Sequence, residues 1–225
     1  MFYGIFFLTL SILLGSLPVQ YGGGVSLSAI WPAVAFLVVS VAYLGGGANL
    51  LGKRADGSVS PVHQIVLLPY FLLIQGVWHF ARLCSSEPAV QEIAPGIWIG
   101  RRLLAREVPG DVQVVVDLTS EFAEPLLLRA VADYVSIPVL DAMTPVTDQF
   151  VAGIRRVAEL PGKIFIHCAQ GHGRTTMFAA LLLITKGFAK NADDALEQIR
   201  AVRPKARPNR HQRRFLELVK PAELR

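Results

Sequence analysis

Lys163-Ile164-Phe165-Ile166-His167-Cys168-Ala169-Gln170-Gly171-His172-Gly173-Arg174-Thr175-Thr176 decides how this chain is read. An apolar, β-type run ends in a cysteine, and an arginine follows just where a long apolar segment begins. Ile164, Phe165 and Ile166 predict a buried strand that delivers Cys168 to the edge of a sheet. Gly171 and Gly173 allow a tight wrap in which successive backbone N–H groups turn inward as an anion-binding nest. The helix predicted from near Gly173 brings its positive N-terminal end to the same spot. Arg174 adds a planar fork suited to two oxygens of a phosphate. Helix N-termini and neighbouring cations favour a thiolate over a thiol. The segment therefore combines a nucleophile with a seat for a tetrahedral anion. A merely structural cysteine in a strand–turn–helix would not call for both glycines, the arginine and the threonine in register.

His167-Cys168-x5-Arg174-Thr175 resembles the signature of the protein tyrosine phosphatase superfamily. Gln170-Gly171-His172-Gly173-Arg174-Thr175 is most similar to its dual-specificity and lipid-phosphatase branches. Three further segments resemble dual-specificity phosphatases: Ile97-Trp98-Ile99-Gly100, Val115-Val116-Asp117-Leu118, and Arg203-Pro204-x-Ala206-x-Pro208-Asn209. The likeness runs over roughly residues 93–218. It implies an α/β fold of that type, a sheet flanked by helices, and a cysteine-dependent phosphomonoesterase. Cys168 would form a cysteinyl-phosphate while Arg174 and the loop Ala169, Gln170, Gly171, His172 and Gly173 hold the phosphate oxygens. The leaving oxygen needs a proton. In the family an aspartate after the strand preceding the signature supplies it, and Asp141, closing Ile137-Pro138-Val139-Leu140-Asp141, matches that position. The segment from Asp141 to Cys168 is somewhat shorter than is usual in the family. Asp148 competes, but reads as first-turn helix charge, and Asp117 reads as a structural residue near a strand end. The resemblance further implies that Thr175 donates its hydroxyl to the departing thiolate; His167, at the strand end, either fixes the loop from behind by hydrogen bonding or simply packs there, and Asn209, in the segment before the last helix, is a supporting residue. No cofactor is implied, and His63, His79, His172 and His211 show no metal-ligand spacing.

Composition divides the 225 residues in two. The chain is 52% hydrophobic and 17% charged, with a mean hydropathy of +0.45, too apolar for one water-soluble domain alone. Residues 1–84 read as a membrane region and residues 85–225 as the phosphatase domain. Phe2–Val19 is a first transmembrane helix, with no Lys or Arg before it to make a secretory n-region. Leu27–Gly47 is a second, long enough to cross a bilayer. Val62–Cys84 is broken by His63, Pro69, Gln75, His79 and Arg82, and reads as an interfacial, re-entrant or spanning segment. Lys53 and Arg54 between the second and third stretches favour the cytoplasmic side. An interfacial or re-entrant third segment leaves the catalytic domain there too, the side where a thiolate stays reduced.

From Ser85 onward, 19 Lys/Arg face 16 Asp/Glu. Ile97–Gly100, Val112–Leu118, Tyr134–Leu140 and Lys163–Cys168 are the predicted strands. Helices are predicted at Leu126–Ala132, from a Thr147 or Asp148 cap to about Leu160, at Thr175–Lys186, near Asp193–Val202 and over Pro208–Val219. The Thr175–Lys186 helix is apolar nearly all round and too short to span a bilayer, so it is the buried central helix.

The substrate reading rests on less. Family members that prefer phosphoinositides carry lysines between the cysteine and the arginine, where Ala169, Gln170 and His172 stand here, so a singly phosphorylated group is favoured. Arg200, Arg203, Lys205, Arg207, Arg210, Arg213 and Arg214 form a basic run suited either to a solvated surface or to anionic headgroups. No aromatic interleaving accompanies it, which disfavours nucleic acid. The resulting reading is a membrane-anchored enzyme acting on a lipid phosphate, resembling phosphatidylglycerophosphate-type members of the family, with membrane lipids as partners. The alternatives are a phosphoprotein phosphatase, a non-catalytic phosphate-binding membrane adaptor, and a sulfur-transfer or arsenate-reducing enzyme that would not need Asp141.

Overall fold

In the computed structural model, which describes residues 2–131 and 133–224, the chain divides into two compact units. The first comprises residues 1–54, 58–84 and 120–123, and the second residues 55–57, 85–119 and 124–225.

The first unit is built on two antiparallel apolar helices, α1 (Phe2–Tyr21) and α2 (Ile30–Val41), the latter extended by turns at both ends. Ser11 donates to the Ala33 carbonyl at 2.8 Å and Ser40 to the Gly4 carbonyl at 2.8 Å, so both hydroxyls find partners on the facing helix. A Cβ on Gly4 would lie 2.7 Å from the Leu44 side chain, so glycine leaves the room that leucine fills. Phe2–Tyr21 and Gly24–Gly46 are each long and apolar enough to cross a membrane. Only 11% and 39% of these two windows is buried within the protein, so their apolar surface faces outward. The third apolar stretch is two helices, α3 (Pro61–Val66) and α4 (Leu68–Leu83). They break at Leu67 (φ −95°, ψ 8°), just before Pro69, whose ring and missing N–H favour a helix start over a helix interior. At 16 residues α4 is about 24 Å long, short of a bilayer core. Lys53 is buried, and its ammonium donates to the Phe122 carbonyl, while Phe122 packs on Trp78 with ring centroids 6.0 Å apart. The lysine expected to act as a topological charge is also a structural donor.

The second unit is a five-stranded sheet in the order β1-β2-β5-β3-β4, where β1 is Val90–Ala94, β2 Ile97–Arg101, β3 Val112–Thr119, β4 Asp133–Val139 and β5 Lys163–Cys168. Only β1 runs antiparallel; it forms a hairpin with β2 through Pro95-Gly96. The sequence reading missed β1, whose Val90-Gln91-Glu92-Ile93-Ala94 lacks a β-branched run. The central strands read as continuous apolar stretches because they are buried on both faces. One face carries the main core with α6 (Thr147–Glu159), α7 (Gly173–Thr185), α8 (Ala192–Val202) and α9 (Arg210–Leu218). The other is thinly covered, with Leu103 and Leu128 packed on Val112, Val115 and Phe165. Leu128 lies in α5, the four residues Leu126–Arg129. The helix expected over Leu126–Ala132 is thus cut short, and Ala132 lies outside the described residues. Neither Thr147 nor Asp148 caps α6: Val146 occupies that position with no side-chain bond, and both polar residues fall in the first turn.

Candidate active site

Alternation along β5 sets the site. Ile164, Ile166 and Cys168 face the helical core, while Phe165 and His167 face the thin side, their rings stacked at 5.2 Å. Cys168 is buried at the C-terminal end of the strand. The loop that follows has its carbonyls taken up from outside. The Arg102 amide donates to Ala169 O at 3.2 Å. The Arg203 guanidinium donates to Gln170 O at 3.1 Å and to Gly171 O at 3.2 Å. In a planar trans peptide the N–H lies opposite the C=O. Turning these three carbonyls outward therefore turns the amides of Gln170, Gly171 and His172 to the concave side, as an anion nest requires. Gly171 has φ +73°, and a Cβ there would lie 2.4 Å from the Gly100 carbonyl, so both conformation and space demand glycine.

Arg174 closes the loop in the first turn of α7. Its side chain is 1% exposed, and Nη1 donates to Val139 O at 2.8 Å while Nη2 lies 3.0 Å from Asp141 Oδ1. The guanidinium is thereby braced against the end of β4 with one edge on a carboxylate that is 55% exposed. Cys168, Arg174 and Asp141 thus sit on elements that end at one edge of the parallel strands. Thr175 is fully buried, and its hydroxyl has no protein partner among the described residues.

Two networks hold this edge. Arg203, itself 1% exposed, also donates to Pro88 O and Gln91 Oε1, each at 2.9 Å, and lies 3.9 Å from Glu87. Glu87 in turn holds His172 Nε2 at 2.8 Å. Burial lowers the Arg203 pKa from its usual value, and the negative charges of Glu87 and Cys168 act in the opposite direction. Behind the loop, Asp117, Glu124 and His167 offer ligand atoms within 4.8 Å of one another. Protein groups already serve the two acids: Tyr134 Oη and Thr119 Oγ1 donate to Asp117 at 2.6 and 2.7 Å, and Arg102 Nε to Glu124 at 3.2 Å. His167 Nε2 is 4.0 Å from Glu124 Oε1. Burial, then the Asp117 charge, drives the Tyr134 phenol far above its ordinary pKa, keeping it a donor. The cluster is a hydrogen-bonded scaffold under β5.

The turn carrying Asp141 closes with Met143 N donating to Leu140 O at 3.1 Å, and Ala142 takes φ +59°. Asn209 Nδ2 donates to Ala142 O at 2.7 Å, which links the segment before α9 to this turn. Asp148 stands apart in the first turn of α6, and Asp117 lies beneath the loop. Three residues around the site went unread in the sequence: Glu87, Arg102 and Gln212, whose Nε2 donates to Met143 O at 3.2 Å. Arg203 was counted in a basic surface run, yet it is buried and spent on the loop. Arg213 is paired with Asp193 at 2.8 Å and Glu217 at 3.5 Å. Lys205, Arg207, Arg210 and Arg214 remain exposed. The one available signal for Gln212 was the spacing Asn209-x-x-Gln212, a capping-box pattern.

Comparison with known proteins agrees with this fold. The family described as dual specificity phosphatase, catalytic domain, matches residues 109–220. A search of curated proteins finds no match. Among solved structures, Tk-PTP in its active form superposes with a TM-score of 0.51 at 27% identity, over 58% of this chain and 95% of the other. PTPMT1 in complex with PI(5)P shares the fold at a TM-score of 0.51 and 16% identity, over 58% of this chain and 93% of the other.

Proposed function

We propose that this chain, which belongs to the dual-specificity phosphatase family through residues 109–220, is a membrane-anchored phosphomonoesterase that acts on a lipid phosphate. Family membership makes it a phosphoric monoester hydrolase, and the presence of Cys168, Asp141 and Arg174 together argues against the adaptor and sulfur-transfer readings. In the first step the Cys168 thiolate attacks phosphorus and the P–O bond to the leaving group breaks. Arg174 and the inward amides hold the equatorial oxygens, and Arg174 Nη2 passes from Asp141 to the phosphate. Asp141 gives its proton to the leaving oxygen and then takes one from the attacking water. The S–P bond breaks in that second step, and Thr175 donates to the returning thiolate.

One observation carries the lipid assignment: the catalytic unit resumes at Ser85, directly after a unit with two helices each long and apolar enough to cross a bilayer. The phosphate loop adds to it. No lysine stands between Cys168 and Arg174, and His172 is held by Glu87, so a second phosphate finds little charge there. The exposed Lys205, Arg207, Arg210 and Arg214 suit an anionic surface. The third apolar stretch lies in the interface, and the catalytic unit faces the cytoplasm, where the thiolate stays reduced. The full-length protein in mixed micelles is assayed on phosphatidylglycerophosphate, phosphatidate, phosphoinositides and a phosphotyrosine peptide. A singly phosphorylated lipid should be turned over fastest. Faster turnover of the peptide than of any lipid would replace this reading with a protein phosphatase.

A further inference from the structure

The acid turn is held in place from one side by the first turn of α9. Asn209 Nδ2 donates to Ala142 O at 2.7 Å and Gln212 Nε2 to Met143 O at 3.2 Å. Both accepting carbonyls belong to the two residues after Asp141. Ala142 sits in the left-handed region, φ +59°, which is unfavourable for an alanine unless its surroundings impose it. Gln212 is 2% exposed, and its other end is equally committed. Its Oε1 accepts from Asn209 N at 3.0 Å, and Asn209 Oδ1 accepts from Gln212 N at 3.0 Å, so each side chain is oriented by the other. A Cβ built on Gly173 would lie 2.4 Å from Gln212 Oε1. One amide therefore packs against the start of the phosphate-loop helix and bonds the turn that carries the acid.

We propose that Gln212, with Asn209, is a positioning residue that sets the Asp141 turn at a fixed distance from the phosphate loop, so that the carboxyl meets the leaving oxygen. This rests on the assignment of Asp141 as the acid. The glutamine touches neither substrate nor sulfur; it acts through the Met143 carbonyl. Gln212→Met is the sharpest variant, because it keeps the length and neutrality of the side chain while removing the donor to Met143. Asn209→Ala removes the other tether and serves if the first variant unfolds.

Each variant is assayed on an alkyl phosphate, whose poor leaving group needs the proton, and on an activated aryl phosphate, whose leaving group does not. Inorganic phosphate inhibition reports the loop itself. Turnover of the alkyl substrate should fall about tenfold, the rate equivalent of one hydrogen bond. Aryl turnover and phosphate inhibition should hold, and either substitution should add nothing in an Asp141→Asn background. Equal losses on both substrates, a weakened phosphate inhibition, or additivity with Asp141→Asn would mean a general structural role and overturn the proposal. If Asp141→Asn itself treats both substrates alike, the acid assignment fails and takes this inference with it. If Asp141→Asn discriminates and neither tether variant does, the inference fails alone.

Discussion

The two arms of the site are held by different means. The nucleophile loop has three consecutive carbonyls bonded from outside, one by a backbone amide and two by a single buried guanidinium, and Cys168 is buried beneath them. The acid turn is half-exposed, carries an alanine in a left-handed conformation, and is tied by two side-chain amides. The loop must present charge-stabilising amides that are already oriented before substrate arrives, because reorienting them during reaction would cost the stabilisation they supply. On the mechanism proposed above, Asp141 leaves Arg174 when phosphate takes that guanidinium, so the carboxylate is the exposed part of a turn whose backbone is tethered.

The largest effect should come from the loop. Cys168→Ser should reduce aryl phosphate turnover to background, a loss on the order of 10⁶-fold where a nucleophile is removed outright, with the thermal midpoint little changed. Activity retained in that variant would end the cysteinyl-phosphate mechanism, and with it the division of labour between loop and turn.

A second, smaller effect should come from the outer brace. Arg203→Lys keeps the charge but cannot reach Gln170 O, Gly171 O, Pro88 O and Gln91 together, since an ammonium lacks the planar fork. Losing one or two of these buried bonds should cost about 1–3 kcal/mol. Inhibition by inorganic phosphate should weaken about two- to tenfold if half of that falls on the loop, since 1.4 kcal/mol is a factor of ten. Alkyl and aryl turnover should fall together, in contrast to the tether variants. An unchanged inhibition constant would show that the loop keeps its shape without its outer brace, and the contrast drawn above would be wrong.

This contrast also explains what the sequence could reveal. Strand, Cys168, Gly171, Gly173, Arg174 and Thr175 are contiguous, so the loop's chemistry is written in one local pattern. The sheet followed for the same reason, from continuous apolar runs such as Val112–Leu118. Arg203 and Glu87 were illegible because their partners lie far away in sequence: Arg203 reaches loop carbonyls 32 and 33 residues back, and Glu87 pairs with His172 across 85. A buried arginine and a surface arginine are the same letter in a basic run, and only the fold separates Arg203 from Arg207. Asp141 was identified by family position. Its surroundings could not be read, since Asn209 and Gln212 meet the turn from 67 and 69 residues away.

The smallest effect is the most discriminating for the turn. Glycine adopts φ +59° without the penalty an alanine incurs, so Ala142→Gly relieves the left-handed strain, about 1–2 kcal/mol. The same change loosens the unfolded chain, costing about 0.4–1 kcal/mol. The two nearly cancel, and the thermal midpoint should move by only a few degrees in either direction. Function separates the possibilities that stability does not. If Asn209 and Gln212 alone fix the turn, glycine keeps the same carbonyl positions and both substrates are turned over at the parent rate. If the alanine's narrow conformational range contributes to fixing it, alkyl turnover falls a few-fold while aryl turnover holds. The tethers bond the carbonyls of both residues after Asp141, which leaves the carboxyl little freedom to gain. The expected result is therefore a loss of no more than about twofold on the alkyl substrate, well inside the effect of one hydrogen bond. A loss larger than that of Gln212→Met would place the control of the acid in the turn's own backbone instead of in α9.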